Sequence, residues 1–358
     1  MEHSLSGKKH NHTEETAVNE FDQTMKPVSL WADAWKRLTK NRLSYISFWI
    51  VFVYIVIAVT APLLPLYPYA EQIIDHANLS PSLKPAGEVL LASKESYFKK
   101  VMKKEGRTTY SSAEQEELDN IKRSIKTDSI QQRHYILGTD SLGRDMLSRT
   151  IYGGRISMLI GLVGTVTALL IGILVGAIAG YVGGVTDNVL MRFVDILYGL
   201  PYMLMVIIMM AILGRNVAIL FVAIALVSWL TISRVVRGQV MTLKNTEFVQ
   251  AARSMGASSW HIIIHHLIPN SLGIIIAYAT LSIPEFIMSE SFLSFLGLGV
   301  SAPLASWGSL VSNGVQGMEL YPWILLVPAV AMTIFLFAMN FLGDGIRDAF
   351  DPQSKNRI

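Results

Sequence analysis

Apolar residues along this chain are gathered into long runs rather than scattered at amphipathic spacing, and six runs stand out: 44–66, 157–181, 189–213, 217–233, 272–296 and 323–343. A helix needs ~20 apolar residues to cross a ~30 Å hydrocarbon core. Inside lipid each segment must satisfy its own backbone hydrogen bonds, so runs of this length predict helices, whereas a barrel would need shorter alternating strands. The predicted fold class is therefore all-α, a polytopic membrane bundle of six transmembrane helices. The polar stretches between the runs divide the chain further: a tail with an interfacial helix over 1–43, a first span over 44–66, a loop with an inserted subdomain over 67–150, a membrane core over 151–343 containing a polar loop at 234–271, and a tail over 344–358.

Charge sets the expected orientation. Lys26, Lys36, Arg37, Lys40 and Arg42 precede the first span, Arg234, Arg237, Lys244 and Arg253 follow the fourth, and Arg347, Lys355 and Arg357 follow the sixth. All three segments fall on one side, which the positive-inside rule makes the cytoplasm, with both termini inside. The 67–150 loop carries thirteen Lys or Arg against twelve Asp or Glu, but long loops are largely exempt from the rule, so it is placed outside. Composition agrees with a membrane protein, at 51% hydrophobic and 16% charged, and the absence of Cys excludes disulfides, thiolate metal sites and cysteine nucleophiles. The start of the chain has no signal-peptide pattern and reads as a polar tail, in which His3, His10 and His12 could bind a metal but are more simply part of a flexible terminus.

Local signals fill in the polar parts. Trp31 to Arg42 reads as a basic amphipathic approach helix with Trp31 and Trp35 on one face, and Pro62, Pro65 and Pro68 close the first span. In the inserted segment, Ser112 and Gln115 resemble a capping box, which predicts a helix over 113–126 with Leu118, Ile121 and Ile125 on one face. Gly172, Gly176 and Gly180 recur every four residues in the second run and predict close helix contact, while Met203, Met205, Met209 and Met210 read as adaptable packing.

Several motifs are denser than such signals require. Leu137-Gly138-Thr-Asp140-Ser-Leu-Gly143-Arg144-Asp145 precedes the second run, and its Asp140, Arg144 and Asp145 can pair with Arg149 along a helix start. Arg192-Phe-Val-Asp195-Ile-Leu-Tyr-Gly-Leu-Pro201 lies in the third, with Arg192 and Asp195 spaced to neutralise one another; Leu293-Ser-Phe-Leu-Gly-Leu-Gly299 and Ala305-Ser-Trp-Gly308 follow the fifth. Together these closely resemble the permease subunits of bacterial ATP-binding-cassette importers for dipeptides, oligopeptides and nickel, specifically the second of the two permeases. The likeness runs from about 134 to 352, plus the first span by position, and leaves the inserted segment outside it.

The polar loop then resembles the signature of that superfamily, in which Glu-Ala-Ala is followed by a spaced Gly and later a Leu-Pro. Here it reads Gln250-Ala251-Ala252, Gly256 and Ile268-Pro269, so Gln250 stands in place of the usual Glu and removes a charge. His266 stands where a small apolar residue is common. The resemblance implies that a helix from about Ala257 through His261 to His265 rests in a cleft of an ATP-hydrolysing partner. It also implies a homologous second permease, one or two ATPase subunits carrying ATP and Mg, an extracytoplasmic substrate-binding protein, and a cytoplasmic-membrane location. The chain has no phosphate-binding Gly-x-x-x-x-Gly-Lys-[Ser/Thr] loop and is expected to bind no cofactor itself, and no nucleic acid.

Intramembrane polar residues are functional candidates because a charge at mid-bilayer costs ~2.5–3.5 kcal/mol on insertion scales. Glu285 and Glu290, with Ser282 and Ser289, could face a water-filled route or make interhelical hydrogen bonds. Two rival classes use the same residues. An intramembrane enzyme would take the glutamates as an acid–base pair, but no nucleophile or metal-ligand cluster completes it. An ion channel would line a pore with them, and leaves the Ala–Ala and Gly loop unexplained. An importer permease for peptides is the expected function, with nickel as the alternative cargo.

Overall fold

The computed structural model describes residues 30–214 and 217–350; His3, His10, His12, Lys26, Lys355 and Arg357 lie outside the described residues. The elements are helical: α1 (Leu30–Lys40), α2 (Arg42–Thr60), α3 (Ala86–Glu105), α4 (Ser112–Thr127), α5 (Met146–Val182), α6 (Gly184–Tyr198), α7 (Tyr202–Leu213), α8 (Val217–Leu243), α9 (Glu247–Ser254), α10 (Ser259–Ile262), α11 (Ile268–Phe295), α12 (Trp307–Val315) and α13 (Pro322–Phe350). Among the described residues five helices are long and apolar enough to cross a membrane, and a sixth crossing is reached by counting α6 and α7 as one span.

That pair corrects the expected third span. The run 189–213 is continuous in hydropathy but α6 and α7 meet at 80°. Pro201 has no N–H to donate and disfavours helical geometry at Leu200, so the helix ends at Gly199 and restarts at Tyr202. The fourth run is longer than expected, because α8 carries Arg234 and Arg237 within its helix as far as Leu243. With α9, α10, the turn Ile263–Leu267 and the start of α11, most of the expected loop at 234–271 is helical.

Two layers of packing hold the bundle. In one, α5 lies along α8 with glycine on the contact line: a Cβ at Gly172, Gly176 or Gly180 would meet atoms of α8 at 2.7, 2.4 and 2.7 Å. Small residues let the two backbones approach in this way. This layer buries Ile160, Ala168, Leu220, Val227 and Val240. In the other, α2 and α11 pack on α13 around Val51, Ile287, Trp307, Phe335 and Met339. Trp307 joins the layers, since its indole Nε1 donates to Thr150 O at 2.9 Å and its backbone N–H to Ser157 Oγ at 3.0 Å, while Gly154 leaves room for the ring.

The two ends of α5 define two ends of the molecule. Before Met146 sits the Gly138–Asp145 turn. Gly138 and Gly143 have positive φ, and a Cβ at Gly143 would collide with the carbonyl of Ile73, so this position needs glycine on both counts. Asp140 accepts from the backbone N–H groups of Leu142 and Arg144 and from Arg144 Nε at 2.7 Å, with Arg149 Nε 3.4 Å away. Asp145 does not join this ion cluster as expected; it caps α5, accepting from the backbone N–H groups of Leu147 and Ser148.

The inserted segment forms a hairpin of α3 and α4 at this end. Only α4 was expected, and its capping box is one residue earlier than read: Ser111 and Glu114 exchange the paired bonds, and Glu114 also takes both guanidinium nitrogens of Arg107 at 2.9 Å. Those contacts hold the Glu114 carboxyl down at about 2. The unforeseen α3 is less amphipathic in sequence than α4. His76 fastens the hairpin base: fully buried, it meets Tyr135 OH at 3.2 Å through Nδ1 and Gln131 Oε1 at 3.1 Å through Nε2.

Candidate functional site

At the other end of α5, α9 packs through Val249 and Ala252, which are buried at 0% and 2% exposure, and Arg253 lies over the Tyr181 ring. Ala251 and Gln250 point away, and Gln250 Nε2 folds back to donate to Asn245 O at 3.0 Å. The two alanines therefore do different things: Ala252 is packed inside its own chain and only Ala251 is offered outward. A three-residue spacing between Val249 and Ala252 produces this, since it places both on one helix face.

Gly256 ends α9 with φ +84°. Ala257 N–H donates to Ala252 O at 3.1 Å and Gly256 N–H to Arg253 O at 3.0 Å, the paired bonds of a Schellman cap. No atom stands within 4 Å of a Cβ placed there, so the requirement for glycine is conformational rather than spatial. Ser258 starts the next helix, its Oγ accepting from His261 N–H at 3.3 Å.

The expected helix from Ala257 to His265 is corrected in two respects. It begins at Ser259, and it does not end at His265 but passes through a π turn, Ile263–Leu267, straight into α11. Pro269 gives the reason: it lacks an N–H, and its ring would clash with the carbonyl of His265 in regular α geometry, so the helix widens by one residue ahead of it. Ser259–Phe295 is consequently one continuous helical span. His261 and His265 stack with ring centroids 4.2 Å apart, and His266 lies edge-on to His261. Beside them Phe248, Met255, Trp260 and Ile264 are all exposed, Met255 at 82%. The sequence reading passed over this apolar ridge, although Ser258-Ser-Trp carries an N-cap signal that locates it.

A cavity of about 800 Å³ opens along the membrane part of the bundle. The α6–α7 break contributes Tyr198 and Tyr202, α8 contributes Ser228 and Thr231, and α11 contributes Ser282, Glu285 and Ser289. Pro201 shapes this wall by breaking the helix rather than by lining it. Arg192 is exposed on α6 and is not the partner of Asp195: Arg234 of α8 reaches Asp195 at 2.6 Å and covers the Tyr198 ring at 4.1 Å. A second bond of the same kind, between Arg237 and Asp187, ties α8 to the start of α6.

Glu290 is separated from the other three candidates. Five residues beyond Glu285, it is turned about 140° around the helix. It is fully buried, with Oε1 accepting from Ser294 and Ser306 at 2.6 Å each. It therefore fastens α11 to the turn before α12 and lies outside the cavity. Among the described residues no group of His, Cys, Asp and Glu could hold a metal ion.

Long apolar helices, a capped helical hairpin with exposed apolar side chains at one end, and a cavity between helices are the features of a multi-pass membrane protein. The family model for the binding-protein-dependent transport system inner membrane component matches residues 172–356, and that for the N-terminal TM domain of oligopeptide transport permease C matches 29–81. The oligopeptide transport system permease protein OppC of Bacillus subtilis (strain 168) is 36% identical over 96% of this chain and 97% of its own. The dipeptide transport system permease protein DppC of the same organism is 36% identical over 93% and 89%, and the OppC protein of Escherichia coli (strain K12) 48% identical over 63% and 74%. A solved chain of the MetNI methionine ABC transporter, in inward-facing form, is 19% identical with a TM-score of 0.45 over 57% of this chain and 98% of its own. The chain belongs to the family of binding-protein-dependent transport system inner membrane components.

Proposed function

We propose that this chain is the peptide-importing permease subunit of an ATP-driven transporter, with short peptides as cargo. The observation that carries the reading is the near full-length likeness to relatives named as oligopeptide and dipeptide permeases; nickel as the alternative cargo has no such support. In this reading the α9–α10 hairpin faces the cytoplasm and receives one of the ATPase subunits, which hold ATP and Mg. Both termini are cytoplasmic, and the α3–α4 hairpin faces the side from which a substrate-binding protein delivers peptide. A homologous second permease closes the cavity.

The geometry supports coupling through the hairpin. Large exposed apolar side chains grouped on a polar segment mark an interaction surface. The rod from Ser259 to Phe295 connects that surface to the wall bearing Ser282, Glu285 and Ser289. A partner that closes on ATP binding can thus bias two arrangements of the bundle, the requirement for allosteric coupling.

The test is peptide uptake by the complex, permease pair with ATPases and binding protein, reconstituted in vesicles. Uptake should require ATP and the binding protein. Gly256→Pro, which cannot adopt positive φ and loses the N–H donated to Arg253, should abolish uptake while the subunit still inserts. Uptake that continues with the broken cap would overturn coupling through this hairpin, and uptake without any ATPase would overturn the importer reading itself.

A further inference from the structure

Glu285 occupies an unusual position for a carboxylate. It lies ten residues from the end of α11, about 15 Å along the axis, and so well inside the apolar part of the helix. Yet its side chain is exposed in this chain, flanked on the same face by Ser282 and Ser289, with Met288 also exposed beside it. An ionised carboxylate directed at lipid is strongly disfavoured. This face must therefore meet water or protein, and the cavity supplies that environment.

The charge balance of the cavity is one-sided. Of the residues that line it, Glu285 alone is charged; the other polar groups are hydroxyls and the Asn340 amide. Arg234, which covers Tyr198 at the edge of the cavity, is already held by Asp195 and adds no net positive charge. Nor, among the described residues, is Glu285 tied down by a salt bridge of its own, in contrast to Asp187 and Asp195. Serines at the same wall mostly satisfy themselves within the helix: Ser282 Oγ donates to Tyr278 O at 2.9 Å, and Ser228 Oγ to Ile224 O at 2.7 Å. The wall thus presents a single anionic group to whatever passes, in a setting where charge is screened less than in water.

We propose that Glu285 is a specificity-determining residue of the passage, favouring peptides that carry an ammonium or guanidinium group over those that carry an extra carboxylate. This rests on the permease reading above and deepens it. A cationic side chain crossing the bundle loses hydration that Glu285 partly replaces. An anionic one meets repulsion.

The experiment uses the whole reconstituted complex, with one binding protein throughout and each peptide presented at saturation, so that the binding protein's own preference cancels between variants. Initial uptake is measured for Ala-Lys-Ala, Ala-Glu-Ala and Ala-Gln-Ala. With Glu285→Gln the lysine-to-glutamate uptake ratio should fall about tenfold relative to the unmodified complex, the size expected for losing one weakly screened charge contact. Glu285→Asp should keep most of the ratio. Glu285→Ala, measured in the same way, should lower the ratio as Glu285→Gln does, which keeps the test decisive if Glu285→Gln fails to assemble. An unchanged ratio in an assembled Glu285→Gln or Glu285→Ala complex that still imports Ala-Gln-Ala would overturn the proposal and leave the permease reading standing. Failure of the unmodified complex to import any of the three with ATP would instead refute that underlying reading.

Discussion

Replacing Gly176 by alanine adds one methyl group at the closest approach of two spans. A Cβ at this position would stand 2.4 Å from Ser233 O, 3.0 Å from Arg237 N and 3.0 Å from Val236 Cβ. Two of the three are backbone atoms of α8 and cannot rotate away. The nearest contact is about 1 Å inside ordinary van der Waals distance, so α5 and α8 must separate by about that much, and a gap of ~0.5–1 Å already forfeits a quarter to a half of each dispersion contact along the line. Overpacking of this kind costs about 1–3 kcal/mol. Gly238→Ala on α8 is the matched control: nothing lies within 4 Å of its Cβ, and alanine in a helix interior gains about 0.5–1 kcal/mol over glycine. Gly176 is also in a helix interior, so that gain cancels between the two, and thermal unfolding of the purified variants in the same detergent should separate them by about 1–3 kcal/mol, with Gly176→Ala the less stable. Gly172→Ala should fall between them, because its nearest neighbour is the Ile232 side chain at 2.7 Å rather than backbone. If Gly176→Ala unfolds together with Gly238→Ala, the glycine line is not what sets the α5–α8 spacing, and the packing argument fails.

Two further outcomes follow from the hairpin end. Asp140→Ala strips the buried Arg144 and Arg149 of their carboxylate and leaves two backbone N–H groups without an acceptor, which should cost about 3–5 kcal/mol; thermal unfolding no different from that of the unmodified protein would contradict the assigned role. His76 is buried against Tyr135 and Gln131, with Asp75, Asp128 and Arg133 as the charges around it, and burial pushes its pKa below the ordinary 6.5. A depressed folded-state value means that this contribution to stability is complete above pH 6.5 and is lost as pH falls through the folded value. Hydrogen-exchange protection of residues 131–139 should thus weaken on acidification below that point, and His76→Gln should remove the dependence; equal acid sensitivity in the variant would assign it to another group.

Much of the architecture was legible before any coordinate. Long apolar runs are a strong signal because lipid leaves a chain few other ways to satisfy its backbone. The stripe at Gly172, Gly176 and Gly180 could be read for the same reason: its four-residue period is a local property of a helix. Gly256 stood out as part of the resembled signature, and its positive φ gives the physical reason for a glycine there. Helix α3 was missed because its apolar residues do not gather on one face, and the break at Pro201 through averaging. Hydropathy summed over 189–213 hides one imino acid, although Gly199-Leu200-Pro201 carries the chemistry of a stop.

What the sequence determined by itself, then, was the set of segments and the positions where only a small residue fits, because both follow from backbone geometry and solvent. Pairing between segments was decided by the tertiary structure. Proximity along the chain favoured Arg192 as the partner of Asp195, yet Arg234, 39 positions away, holds it once α8 is laid beside α6. Likewise Glu285 and Glu290 look alike in sequence. Their difference is a rotation of about 140° on one helix, and only the packing of α11 against α8, α12 and α13 turns one carboxylate to the cavity and buries the other among serine hydroxyls.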